Sequence, residues 1–186
     1  MGFFTHRHYF RRYQLNVAQY GEILIADAFQ GRKLGDGQRG YDIVTSKGAF
    51  IDVLRRAGIG AETTPATTLG EEIRIQVKSK LHETTTGKAN VVHCKDTDLN
   101  AMTHLAIILV HPGSRVSSGD STHEGLILHA WLLTRDKAAI LRQKPGKEQY
   151  IRVNQVKDAV NLNGDLFDIR PMLSSIADAR IELAPY

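Results

Sequence analysis

Two stretches restrict the fold more than anything else in the chain. His104-Leu105-Ala106-Ile107-Ile108-Leu109-Val110 and Gly125-Leu126-Ile127-Leu128-His129-Ala130-Trp131-Leu132-Leu133 are apolar on both sides that a strand would present. Successive strand side chains point to opposite faces, so such runs need cover on both faces, as central strands of a helix-flanked sheet have. They are not membrane spans: Leu105 to Val110, the longest apolar stretch, is far short of the roughly 20 residues a membrane helix requires. A third stretch, Glu72 to Lys80, alternates instead, with Ile73, Ile75 and Val77 on one face and Arg74, Gln76 and Lys78 on the other. That is the two-residue period of a half-buried strand.

The remaining pattern supplies helices and connections. Leu15 to Phe29 reads as a helix with Ala18, Ile25 and Phe29 on one stripe. A glycine-rich connection from Gly31 to Gly40 leads into Tyr41-Asp42-Ile43-Val44, which has strand character. Ala49 to Ala57 fits a second strand or a helical turn, and Ala61 to Thr68 is a loop by composition. Thr134 caps a helix from Arg135 to about Gln143, Ile151 to Val153 is a further short strand, and a last helix covers Met172 to Ala179. The sum is an α/β fold with a mixed central β-sheet flanked by α-helices. At 186 residues, 42% apolar and 24% charged, the chain suits one domain over 1–186, with a core at about 15–145 and a C-terminal strand and helix at 146–186.

Charge and cysteine usage narrow the function classes. The single cysteine, Cys94, excludes an internal disulfide, and the expected compartment is the cytoplasm. After Phe3-Phe4 the chain turns to His6, Arg7, His8, Arg11 and Arg12, the wrong order for a secretory signal. A net charge of +4 and a pI near 9.2 favour a polyanionic partner without identifying one. No acidic residue precedes Glu22, while Arg7, Arg11 and Arg12 alternate with Phe4, Tyr9, Phe10 and Tyr13. That mixture suits phosphate and base contacts, and equally an amphipathic segment whose rings pack on the domain. The eight histidines show no zinc-site spacing beyond His6 and His8, and Cys94 and Trp131 read as core.

Glu22 lies close to the apolar stripe of its helix, where an unpaired charge costs several kcal/mol. Either an arginine or lysine at the edge of the stripe or a shared metal site must compensate. Asp42 opens a strand, and Gln76 and Lys78 share one face of another. If those strands pair, an acid, an amide oxygen and an ammonium converge with Glu22 nearby, which is a set that phosphodiester hydrolysis needs. Mg²⁺ keeps several waters and takes one or two carboxylates, so Asp42 and Gln76 are adequate ligands, with Mn²⁺ expected to substitute. Lys78 would orient the attacking water and stabilise the transition state.

Glu22 on an early helix, then Gly40-Tyr41-Asp42-Ile43-Val44, then Ile75-Gln76-Val77-Lys78-Ser79, resembles the PD-(D/E)xK nuclease superfamily of restriction endonucleases, in the variant where glutamine replaces the second acid. The resemblance covers roughly residues 15 to 145. It implies a restriction-endonuclease-like core, metal-dependent cleavage of double-stranded DNA, metal ligands at Asp42, Gln76 and Glu22, and a catalytic Lys78. Arg7, Arg11, Arg12, Arg39, Ser79 and Lys80 are the expected DNA contacts, and His82 is either a phosphate contact or a solvated loop residue. The chain departs from the pattern at Tyr41, where proline is common. It also departs in the long Asp42 to Gln76 separation, which demands an insertion around Glu62 to Leu69 and makes Asp52 a rival aspartate. The chain looks like the small cleavage subunit of a heterodimeric type IIS restriction endonuclease, whose larger subunit recognises the site. A homodimeric Mrr-like or junction-resolving nuclease, a silent nucleic-acid-binding module and an interaction domain with an internal salt-bridge network are the alternatives.

Overall fold

The computed structural model describes residues 17–35, 40–59, 70–82, 91–112, 124–143, 149–159 and 165–175. In chain order these form α1 (Val17–Ala28), β1 (Arg32–Lys33), β2 (Ile43–Ser46), α2 (Lys47–Arg56), β3 (Glu72–Leu81), β4 (Val91–His93) and α3 (Asp96–Ala101). Then follow β5 (His104–Pro112), β6 (Glu124–Thr134), α4 (Arg135–Leu141), β7 (Tyr150–Arg152), α5 (Val153–Ala159) and β8 (Leu166–Asp168), with helical backbone at 170–175.

Six strands make one sheet in the order β1-β2-β3-β5-β6-β8, and β4 pairs with β7 in a separate two-stranded sheet. All pairings are antiparallel except β3 with β5. The sheet is therefore mixed, and the two doubly apolar stretches, β5 and β6, lie side by side in its interior. One face packs against α1 and α2 through Leu24, Ile25, Phe29, Phe50, Ile75 and Ile108. The other packs against α3, α4 and α5 through Leu99, Leu105, Ile107, Trp131, Ala138 and Val156. Each of β5 and β6 thus sends alternate residues into two different cores, which is why both sides of these strands are apolar.

Local chemistry explains several elements. Ser46 caps α2 by accepting the Ala49 N–H, and Arg55 and Arg56 close its last turn, where cations favour the helix dipole. This decides the Ala49 to Ala57 stretch as helix. Thr134 caps α4 as expected, accepting the Lys137 N–H. In α1 the buried residues are Tyr20, Gly21, Leu24, Ile25, Ala26 and Ala28, continued by Phe29; Ile25 and Phe29 are buried as expected, whereas Ala18 is exposed. Gly21 permits α1 to lie directly on β3: a Cβ there would meet Ser79 Oγ at 1.7 Å and Ser79 Cβ at 2.9 Å. The last helix, expected over Met172 to Ala179, occupies 170–175; 176–179 fall outside the described residues, as does the Ala61 to Thr68 loop. No helix among the described residues is long and apolar enough to cross a membrane.

Candidate functional site

The site forms where the sheet opens. β2 and β3 pair from Ser46 opposite Glu72 to Ile43 opposite Ile75, and the Asp42 N–H still donates to Ile75 O at 2.9 Å. Beyond that point β3 runs on to Leu81 with, among the described strands, only β5 paired to it. The Val77 N–H then faces an open edge, and a buried donor without a partner is costly. Asp42 supplies one: its Oδ2 accepts from Val77 N at 2.7 Å and from Gln76 Nε2 at 2.6 Å. A carboxylate is thereby fixed at the fork of two strands, on residues far apart in the sequence.

The segment leading to Asp42 is held from two sides. Gly40 has φ +96°, and a Cβ there would lie 2.6 Å from Thr97 O and 2.4 Å from Ala101 Cβ, so only glycine lets this segment rest on α3. Tyr41 packs against the α3-side core, with the Arg74 guanidinium 5.6 Å above its ring. Tyr41 at the position where the nuclease pattern often has proline therefore has a packing role of its own.

Around Asp42 stand three charged groups. Glu22, on α1, is ion-paired with Lys33 of β1 at 2.8 Å, the lysine partner expected as one way of compensating that carboxylate. Lys78, two residues beyond Gln76 on the same face of β3, pairs with Asp98 of α3 at 3.4 Å. Burial pushes the Asp42 carboxyl above the usual aspartate range; Glu22 and Asp98 push the same way, opposed by the Val77 N–H and by Lys78. Glu22, Asp42, Gln76 and Lys78 are therefore one neighbourhood, with Asp42 at its centre.

The other candidates fall elsewhere. Asp52 is exposed on α2 and pairs with Arg55 at 3.0 Å, so it is not a rival to Asp42. The Ser79 hydroxyl is buried under Gly21, on the side of β3 that faces α1, and among the described residues it makes no hydrogen bond. Lys80 follows Lys78 on the same strand face by alternation. His82 directly follows the strand, its ring 6.5 Å from that of His129, which is stacked on Trp131. Arg7, Arg11, Arg12 and Arg39 lie outside the described residues. Cys94 is wholly buried, and burial raises its thiol to about 11, so it is a packed side chain and no nucleophile.

Asp98 had no counterpart in the sequence reading. Its only local signal is that it stands three residues beyond Lys95, whose N–H its Oδ2 accepts at 3.0 Å to cap α3. Lysine is a poor helix-capping residue and the helix has six residues, so neither composition nor period marks it.

Among the described residues no three His, Cys, Asp or Glu side chains gather into a metal-holding group. The oxygen groups that could hold a cation here are the Asp42 and Glu22 carboxylates and the Gln76 amide. Among the described residues both hydrogen bonds to the Asp42 carboxylate fall on Oδ2, and burial, with Glu22 and Asp98 adding to it, raises the carboxyl. Gln76 reaches Asp42 as a donor through Nε2, so its first action is to hold the carboxylate. The chain matches no protein-family model and no curated protein.

Proposed function

We propose that the protein is a metal-dependent DNA endonuclease with a restriction-endonuclease-like core. The observation that carries this reading is the Asp42 carboxylate at the β2–β3 fork, with Gln76 and Lys78 on the adjoining stretch of β3 and Glu22 above it on α1. That arrangement supports the aspartate, glutamine and lysine of the nuclease pattern acting together. Mg²⁺ or Mn²⁺ bound at Asp42, with Glu22 and the Gln76 amide at its margin, would supply an acidified water and offset phosphate charge. Gln76 and Val77 hold the carboxylate in register. Lys78 meets the scissile phosphate or its attacking water with an ammonium donor. The site lies on one edge of a small domain, and recognition by a larger DNA-reading subunit, as in heterodimeric type IIS enzymes, is the arrangement we favour over a homodimer.

The test is cleavage of supercoiled plasmid in Mg²⁺, Mn²⁺ or chelator by the wild type and by Lys78→Ala. Metal-dependent nicking or linearisation that the variant lacks supports the proposal; cleavage undiminished in Lys78→Ala removes the site.

The pairings Glu22–Lys33 and Lys78–Asp98 favour one other reading, a nucleic-acid-binding domain in which these charges serve the fold alone. It predicts DNA binding and melting temperatures that ignore divalent cations, whereas the nuclease reading predicts a melting temperature that rises with the logarithm of Mg²⁺ concentration above its Kd.

A further inference from the structure

We infer that Asp98 is a positioning residue for Lys78, and that α3 with its anchoring network exists to keep it in place. The inference rests on the nuclease reading for its catalytic meaning and on geometry for the rest.

Asp98 is nearly buried, at 8% exposure, and its Oδ2 is shared between the Lys95 N–H at 3.0 Å and Lys78 Nζ at 3.4 Å. The backbone bond holds the carboxylate independently of the lysine, so in the folded protein it acts as a fixed stop for a long, flexible side chain. Such a chain loses considerable rotamer freedom when ordered, and a fixed acceptor meets that cost in advance of substrate binding.

The short helix is itself braced at one end and along one side. At its N-terminus the Arg142 guanidinium, 6% exposed, binds Asp96 Oδ1 at 2.7 Å, Gln149 Oε1 at 3.2 Å and Cys94 O at 3.4 Å. Gln149 closes the ring by accepting the Asp96 N–H at 2.8 Å and donating to Asp96 Oδ2 at 2.9 Å. Along one side, from Thr97 to its last residue Ala101, Gly40 lies against it. A six-residue helix is too short to be stable alone. Three separate parts of the chain, 40–42, 142 and 149, converge to hold it beside Lys78, a degree of fastening that a solvent-facing connection does not need.

Asp98→Asn keeps an oxygen for the Lys95 N–H and removes the charge from Lys78; Asp98→Glu keeps the charge. The full-length wild type and both variants are first treated with an acetylating N-hydroxysuccinimide ester, without metal or DNA, and Lys78 modification is followed by mass spectrometry with exposed Lys157 as reference. Lys78 is expected to react severalfold faster in Asp98→Asn and near the wild-type rate in Asp98→Glu. Plasmid cleavage in Mg²⁺ is then expected to show kcat lowered about tenfold to a hundredfold in Asp98→Asn with KM unchanged, partly restored in Asp98→Glu. Unchanged acetylation overturns the pairing. Faster acetylation with unchanged kcat overturns the positioning role. Faster acetylation in a chain that cuts DNA in no metal and whose melting temperature Mg²⁺ does not raise overturns the nuclease reading, and the catalytic meaning with it, while leaving the ion pair established.

Discussion

The Asp42 carboxylate takes the place of a neighbouring strand for Val77: its Oδ2 receives at 2.7 Å the N–H that β2 leaves unpaired. One side chain thus ends the β2–β3 ladder and marks the centre of the site. Asp42→Ala strands the Val77 N–H and is expected to cost about 1–3 kcal/mol of stability together with all cleavage. Asp42→Asn retains an acceptor, so it is expected to abolish cleavage while melting no lower than the wild type. Thermal melts beside plasmid assays separate the two.

The same carboxyl sets a pH dependence. Its folded value lies above the unfolded 3.8, so within that window the folded state holds more protons and stability falls as pH rises. Asp42→Asn removes this penalty, and its advantage over the wild type should appear at neutral pH and vanish below pH 3.8. Cleavage, which needs the ionised form, should decline at a pH above 3.8 on acidification. Removing the Asp98 charge should move that acid limb downward.

His104 carries the opposite sign. It is 1% exposed, lies 4.7 Å from the Phe50 ring, and burial lowers its value from 6.5 to about 4. The unfolded chain takes up the proton first, so stability is whole above pH 6.5 and is lost as pH falls toward 4, by up to about 3 kcal/mol. Denaturation of His104→Phe across that range should show a flatter profile; an unchanged slope would assign the acid sensitivity to other groups.

Gly21 and Ser79 offer a test of how α1 is seated. Gly21→Ala drives a methyl group into Ser79 and should cost about 1–3 kcal/mol as α1 lifts, carrying Glu22 with it. Ser79→Ala removes a buried hydroxyl that makes no hydrogen bond among the described residues and should raise stability by about 1 kcal/mol. DNA affinity of Ser79→Ala should equal that of the wild type. A large loss would mean that the serine is a DNA contact after all.

Lys33 holds the Glu22 carboxylate in an ion pair at 2.8 Å. Lys33→Gln frees Glu22, so half-maximal activation should require less Mg²⁺ than in the wild type. A higher requirement would place Glu22 outside the metal's reach.

The parts legible in the sequence were those where one face differs from the other or where neither does. Ile73, Ile75 and Val77 announced β3, and the doubly apolar β5 and β6 announced the sheet's interior. Phe50, Ile51, Val53 and Leu54 fitted strand and helix alike until the Ser46 cap decided. Asp42 and Lys78 could be placed by alternation and order, whereas the direction of the Gln76 amide could not, since it depends on which group Asp42 presents. Elements such as β4, β7 and α3 are short and owe their existence to tertiary contacts, and so Asp98 stayed hidden.

The parallel pairing of β3 with β5 is the one junction in the main sheet that a hairpin cannot make, because the chain must cross over between them. β4 and α3 lie in that crossover, so Lys78 precedes it and its carboxylate partner arrives within it. Closing such a loop is entropically slow and yields its reward late. A partly folded chain therefore holds its lysine without a matched acid, and the assembled charge pattern appears only when the topology is complete.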